Sequence, residues 1–175
     1  SSLEELLKEI RKRVERIKEE LDRALKEDHD IVRKALRELD EMLKKNEETV
    51  RRAMERIKDK REVIKELEDS LRKSEEIVRR LKETLKRSNE DSERLVREIK
   101  KKLEELARTI EDLVRRGVPE DVVRKVLEEL EEEARRVLRE LRESLKRTEE
   151  LVRRALETLK RSDEETKKLV EDIER

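Results

Sequence analysis

The chain has 175 residues, 57% of them charged, with 50 Lys plus Arg set against 50 Asp plus Glu. It has no aromatic residue and no cysteine, and only one glycine and one proline. This composition excludes an ordinary mixed globular domain, a disulfide framework and a thiolate metal site, and zero net charge removes the basic footprint of a protein that binds nucleic acid or an anionic membrane.

High charge with 32% hydrophobic residues is also the signature of disorder. Apolar spacing decides against it. The chain opens on Ser2 with Glu5 three residues on, a capping-box pattern that predicts a first helix over residues 2–57. Within it Leu25, His29, Val32, Leu36, Leu39, Leu43, Asn46, Val50, Ala53 and Ile57 step alternately by four and three, a heptad seam. The first residues carry acids and no apolar core segment, so no signal or transit peptide is expected.

The break after the first helix has little punctuation. Asp59 can serve as an N-cap with Glu62 three residues on, and charged Lys60 occupies what would be a seam position. A second helix over 61–116 then matches the first in length, with a seam running through Ile64, Leu67, Leu71, Ser74, Val78, Leu81, Leu85, Ser88, Ser92, Leu95, Ile99, Leu103, Leu106, Ile110 and Leu113. It ends at the clearest turn in the chain, RRGVPED. Arg115 and Arg116 suit a helix C-terminus, Gly117 a left-handed position, Pro119 a first helical turn, and Glu120 and Asp121 the positive end of the next helix dipole.

The third helix, over 120–175, repeats the pattern from Val123 and Leu127 to Leu169 and Ile173, with Thr148, Ser162 and Thr166 on its seam. Six shorter helices, broken near 27–30, 87–92 and 161–165, are the competing division, but the seams pass through all three places in phase. One helix over 2–116 would leave half its seam in water, and an obligate oligomer of extended helices is a further alternative. Each helix has one apolar stripe. The expected fold is therefore all-α: a single domain over 1–175, an up-down-up antiparallel bundle of three coiled-coil-like helices of about 56 residues.

Polar residues on the seams stand out against the aliphatic background. In an up-down-up bundle, residue i of the first helix lies level with about 118 − i and 118 + i. His29 then shares a level with Ser88, Ser92, Ser144 and Thr148, and Asn46 shares one with Ser70, Ser74, Ser162 and Thr166. Two such polar layers would penalise any register that left a member unpaired. That selection matters because residues 70–99 and 144–173 match at an offset of 74, so apolar stripes alone could not distinguish them. The plainer reading of these Ser and Thr residues is structural, either buried networks or local bonds to the carbonyl four residues back.

Asp28-His29-Asp30 resembles a metal site or a catalytic orienter, but adjacent helical residues point about 100° apart and cannot converge on one atom. Further His or Cys ligands are missing from the sequence, and a packed aliphatic layer offers no nucleophile or pocket. No catalytic, cofactor-binding or metal residue is assigned, and no cofactor. A structural His29 is expected; if it is buried and neutral, stability would fall with acid.

Taken together, the aliphatic seams, the Glu/Lys/Arg surface without aromatics, the GVPED turn, the SS start and the Ser/Thr/Asn/His layers resemble a computationally designed helical bundle with buried hydrogen-bond networks. The resemblance spans the whole chain, but in style rather than through a motif. It implies a soluble monomeric de novo scaffold made in a bacterial host, without enzymatic activity, and with no required partner, nucleic acid or membrane. Self-association, or exchange of a helix with a designed partner helix as in a switch, is the alternative function. Spectrin-like repeats are similar in topology but carry core aromatics, and single α-helix tethers lack an apolar seam.

Overall fold

The computed structural model describes residues 2–175, and nearly all of them lie in three helices packed as a three-helix bundle: α1 (Leu3–Arg56), α2 (Arg61–Arg115) and α3 (Glu120–Glu174). Every boundary falls within one residue of the span expected from sequence. The helices run unbroken through 27–30, 87–92 and 161–165, so the six-helix division does not occur. No helix among the described residues is long and apolar enough to cross a membrane.

Local chemistry sets the ends. Ser2 caps α1 as expected, its hydroxyl accepting the Glu5 amide at 3.2 Å and its carbonyl the Leu6 amide at 3.1 Å. The next turn differs from expectation. The Lys60 amide donates to the Ile57 carbonyl at 2.9 Å and the Lys60 carbonyl accepts from Ile64 at 3.1 Å, so Lys60 is the capping residue and Asp59 lies one position outside. Closing the turn back onto Ile57 moves the first helical carbonyl one residue beyond the carboxylate.

At Gly117 the backbone has φ of +85°, the Val118 amide donates to Leu113 at 3.2 Å and the Gly117 amide to Val114 at 3.1 Å, the paired bonds of a Schellman turn. A Cβ built on Gly117 would meet nothing within 4 Å, so only backbone strain opposes a side chain. Gly117→Ala is therefore expected to cost about 1 kcal/mol in urea unfolding with helical circular dichroism unchanged. Equal stability of parent and variant would contradict that account.

The chain forms two compact units, each drawing on all three helices. The first takes α1 as far as His29 together with Ser88–Leu145. Its core includes Ile10, Val14 and Leu21 of α1, Leu103, Ala107 and Ile110 of α2, and Leu127, Leu130 and Ala134 of α3. Arg11 bonds Glu104 and Glu111, and Lys100 pairs with Asp22 at 2.9 Å, so α2 runs against α1, while Arg124 reaching Glu9 at 3.0 Å sets α3 alongside it.

The second unit comprises Asp30–Arg87 and Lys146–Arg175. It holds one apolar cluster around Leu39, Leu85 and Leu159 and another around Val50, Ala53, Ile57, Leu67 and Val170. Asp40 with Lys82, and Arg56 with Glu174 at 3.5 Å, repeat the same helix directions.

Inward positions advance by about 3.6 residues per step in each helix, the pitch of an undistorted α-helix, rather than by the 3.5 of a strict heptad. The heptad count is therefore one residue out at several places. Ala35 is buried where Leu36 was expected, Val96 where Leu95, Val114 where Leu113 and Val170 where Leu169.

Candidate functional site: two buried polar levels

The same one-residue slip reshapes the polar positions. At the first level Asp28, not His29, points inward: Asp28 is 2% exposed, whereas the His29 side chain retains 24% of its exposure and places Nε2 3.1 Å from the Glu93 carboxylate. The seam position expected for His29 is thus taken by Asp28, and His29 is half-buried beside an acid.

Around Asp28 in the first unit, Ser92 is buried and Ser88, Asn89 and Ser144 are half-buried. No hydrogen bond joins His29, Ser88, Ser92 and Ser144 to one another among the described residues. Neither carboxylate oxygen of Asp28 has a hydrogen bond of good geometry, although the Ser92 hydroxyl stands close enough to act on it. Burial pushes its carboxyl above the usual range, with the neighbouring Ser92 hydroxyl and His29 acting in the opposite direction. Thr148, assigned to this level by sequence, is buried in the second unit.

At the second level the structure brings several of the expected residues together. Asn46, Ser74 and Thr166 are buried, and Ser70 and Ser162 half-buried. Asn46 Nδ2 donates to Ser74 Oγ at 3.4 Å, linking α1 to α2, and the Ser70 and Ser162 hydroxyls meet at 3.1 Å, linking α2 to α3. Thr166 instead bonds the Ser162 carbonyl at 3.0 Å within α3, the local alternative for a helical threonine. Asp163 joins this level without having been anticipated. It is 4% exposed, and Lys167 approaches its Oδ2 at 3.3 Å.

Three residues, Asp28, Asn89 and Asp163, were therefore missed by counting heptads. A sequence signal for two of them exists. The chain contains two asparagines, Asn46 and Asn89, and no glutamine, and Asn89 aligns with Asp163 in the 74-residue repeat.

The surface carries the charge pairing. Glu104 accepts from Lys18 and, at 2.8 Å, from Arg11, and these partners hold its carboxyl below the usual range. In the repeated segments Glu76 bonds Arg79 and Arg80 while Glu150 bonds Arg153 and Arg154 in the same geometry. The Arg79 bond, followed by that from Arg80, holds Glu76 down to about 2. Both clusters are solvent-exposed pairs along one helix and contribute little to stability. No group of three or more His, Asp or Glu side chains among the described residues could hold a metal ion.

Comparison with protein-family models, with curated proteins and with solved structures finds no match for the chain.

Proposed function

We propose that this protein is a de novo designed structural scaffold with no evolved biochemical activity, in which buried polar residues fix the register and pairing of three similar helices. One observation carries the reading. Asp28, Asn46, Ser74, Ser92, Thr148, Asp163 and Thr166 are buried in a core otherwise built of Leu, Ile, Val and Ala.

Buried polar groups lower stability relative to an aliphatic core of the same shape, so their use needs a purpose other than stability. Selecting one arrangement among helices that repeat each other at an offset of 74 is such a purpose. A core without aromatic residues is also poor material for ligand pockets and interface hot spots.

Light scattering on a size-exclusion column tests the reading. A single species near the chain mass of 21.3 kDa is expected, unchanged after addition of a peptide covering residues 120–175. A dimer, or incorporation of the peptide, would overturn the closed scaffold in favour of a helix-exchange module.

A further inference from the structure

Two buried side-chain oxygens without a hydrogen-bond partner, Asn46 Oδ1 and Asp163 Oδ1, lie at one level of the second unit. Leaving such atoms unpaired in a packed core is costly, roughly 1–3 kcal/mol each, so each orphan points to a missing donor.

Register brings the two residues to adjacent helices at the same height. Arg56 of α1 pairs with Glu174 of α3, an offset of 118, and Asn46 with Asp163 differ by 117. One turn further along, Thr49 and Ala53 of α1 line a groove together with Lys167 and Val170 of α3. Because α1 and α3 run parallel, their side chains lean the same way along the bundle, so residues level in register can meet.

Two acceptors cannot bond each other, but an amide carries both kinds of group. With its carboxamide turned by half a revolution, Asn46 presents Nδ2 to Asp163 Oδ1 and Oδ1 to Ser74, whose hydroxyl is able to donate. Both orphans are then satisfied, and the Asn46–Ser74 link is kept with donor and acceptor exchanged. The carboxylate bond is charge-assisted, and so stronger than the 3.4 Å bond it replaces.

We infer that Asn46 is a three-helix adaptor, accepting from Ser74 of α2 and donating to Asp163 of α3, and that Asp163 is the residue that determines which asparagine-bearing helix seats beside it. Lys167 holds the other carboxylate oxygen, and the Ser70–Ser162 bond closes the connection between α2 and α3. The inference deepens the scaffold reading by naming the residues that do the selecting. A helix with an aliphatic residue in place of Asn46 would leave a buried carboxylate oxygen without a donor.

The sequence makes the test clean, because the two asparagines supply the only side-chain carboxamides of the chain. In nitrogen–proton spectra of the full-length protein, Asp163→Ala is expected to shift the Asn46 NH2 signals and speed their solvent exchange at least tenfold, whereas Ser74→Ala leaves the NH2 shifts near those of the parent. The Asn89 NH2 signals should not move in either variant. A shift caused by Ser74→Ala and not by Asp163→Ala would overturn the bridge. Should a variant fail to fold, the parent decides: a scalar coupling across the hydrogen bond from Asn46 Nδ2 to Asp163 Cγ is expected, and its absence in a spectrum that resolves the Asn46 NH2 refutes the inference. A monomeric protein lacking that coupling would remove the adaptor and leave the scaffold, while an exchanging protein showing it would do the reverse.

Discussion

Leu85→Ala is expected to destabilise the protein by about 2–5 kcal/mol, and Leu159→Ala by a similar amount. Leu39, Leu85 and Leu159, one from each helix, are fully buried in the same apolar cluster of the second unit. Truncation to alanine removes the transfer free energy of the lost carbons and leaves a cavity that neighbouring helices fill only in part. Leu85 and Leu159 occupy corresponding places in the 74-residue repeat, so their surroundings should be alike and their losses close.

Leu151→Ala supplies the control, since Leu151 is 45% exposed and its loss should stay within about 0.5 kcal/mol. Urea titration followed by helical circular dichroism measures all three variants. Losses below about 1 kcal/mol at Leu85 and Leu159 would mean that the cluster is loosely packed and that its aliphatic side chains do not specify one structure.

How much of this was legible in the sequence depends on which physical signal each feature leaves. The turn at Gly117 could be read directly, because a left-handed residue after a helix calls for glycine, and the flanking arginines, proline and acids each have a preferred place around it. The turn at 57–60 left only an arithmetic trace. It closes through backbone bonds from Lys60 that any residue could make, so the carboxylate at 59 misled the cap assignment by one position.

Helix length, direction and stripe followed from apolar spacing. The inward residue at a given height did not, since steps of four and three can be phased in more than one way and the real pitch is 3.6. Among aliphatic residues that error is harmless: Leu36 and Ala35 both reach the same cluster. At residues 28 and 29 it exchanges a histidine for an aspartate, and the chemistry of the level changes with it. Consequences of a one-residue slip are thus confined to the polar positions, where side-chain identity rather than apolarity decides the outcome.

Asp28→Asn is expected to stabilise the protein at neutral pH and to leave it unchanged in strong acid, the reverse of the usual effect of removing an acid from a folded protein. The Asp28 carboxyl is buried, has at most the neighbouring Ser92 hydroxyl as a poorly placed donor, and is pushed above its ordinary value of 3.8 by burial. A carboxyl raised on folding means that the folded state binds the proton more tightly than the unfolded state. Below the unfolded value both states are protonated and the group contributes nothing. As pH rises through the window between the unfolded and folded values, stability falls. Above it the full penalty of a buried charge is present.

Glu9, Glu104, Glu76 and Glu150 have the opposite sign. Their arginine and lysine partners lower them, so their contributions are present at neutral pH and are lost as the medium is acidified. The parent's own pH profile therefore mixes both signs, and only the difference between parent and variant isolates Asp28. That difference should be near zero at about pH 3 and grow toward about pH 7, reaching a gain on the order of 1–3 kcal/mol for the variant as the desolvated charge is removed. Asparagine keeps the shape of aspartate, and its amide can both donate and accept at a level where Asn89 Oδ1 is unpartnered. Urea midpoints across that pH range measure the effect. A variant that is less stable than the parent at neutral pH would show that Asp28 is held by a donor in the folded protein, and that its charge is part of what keeps α1 in place.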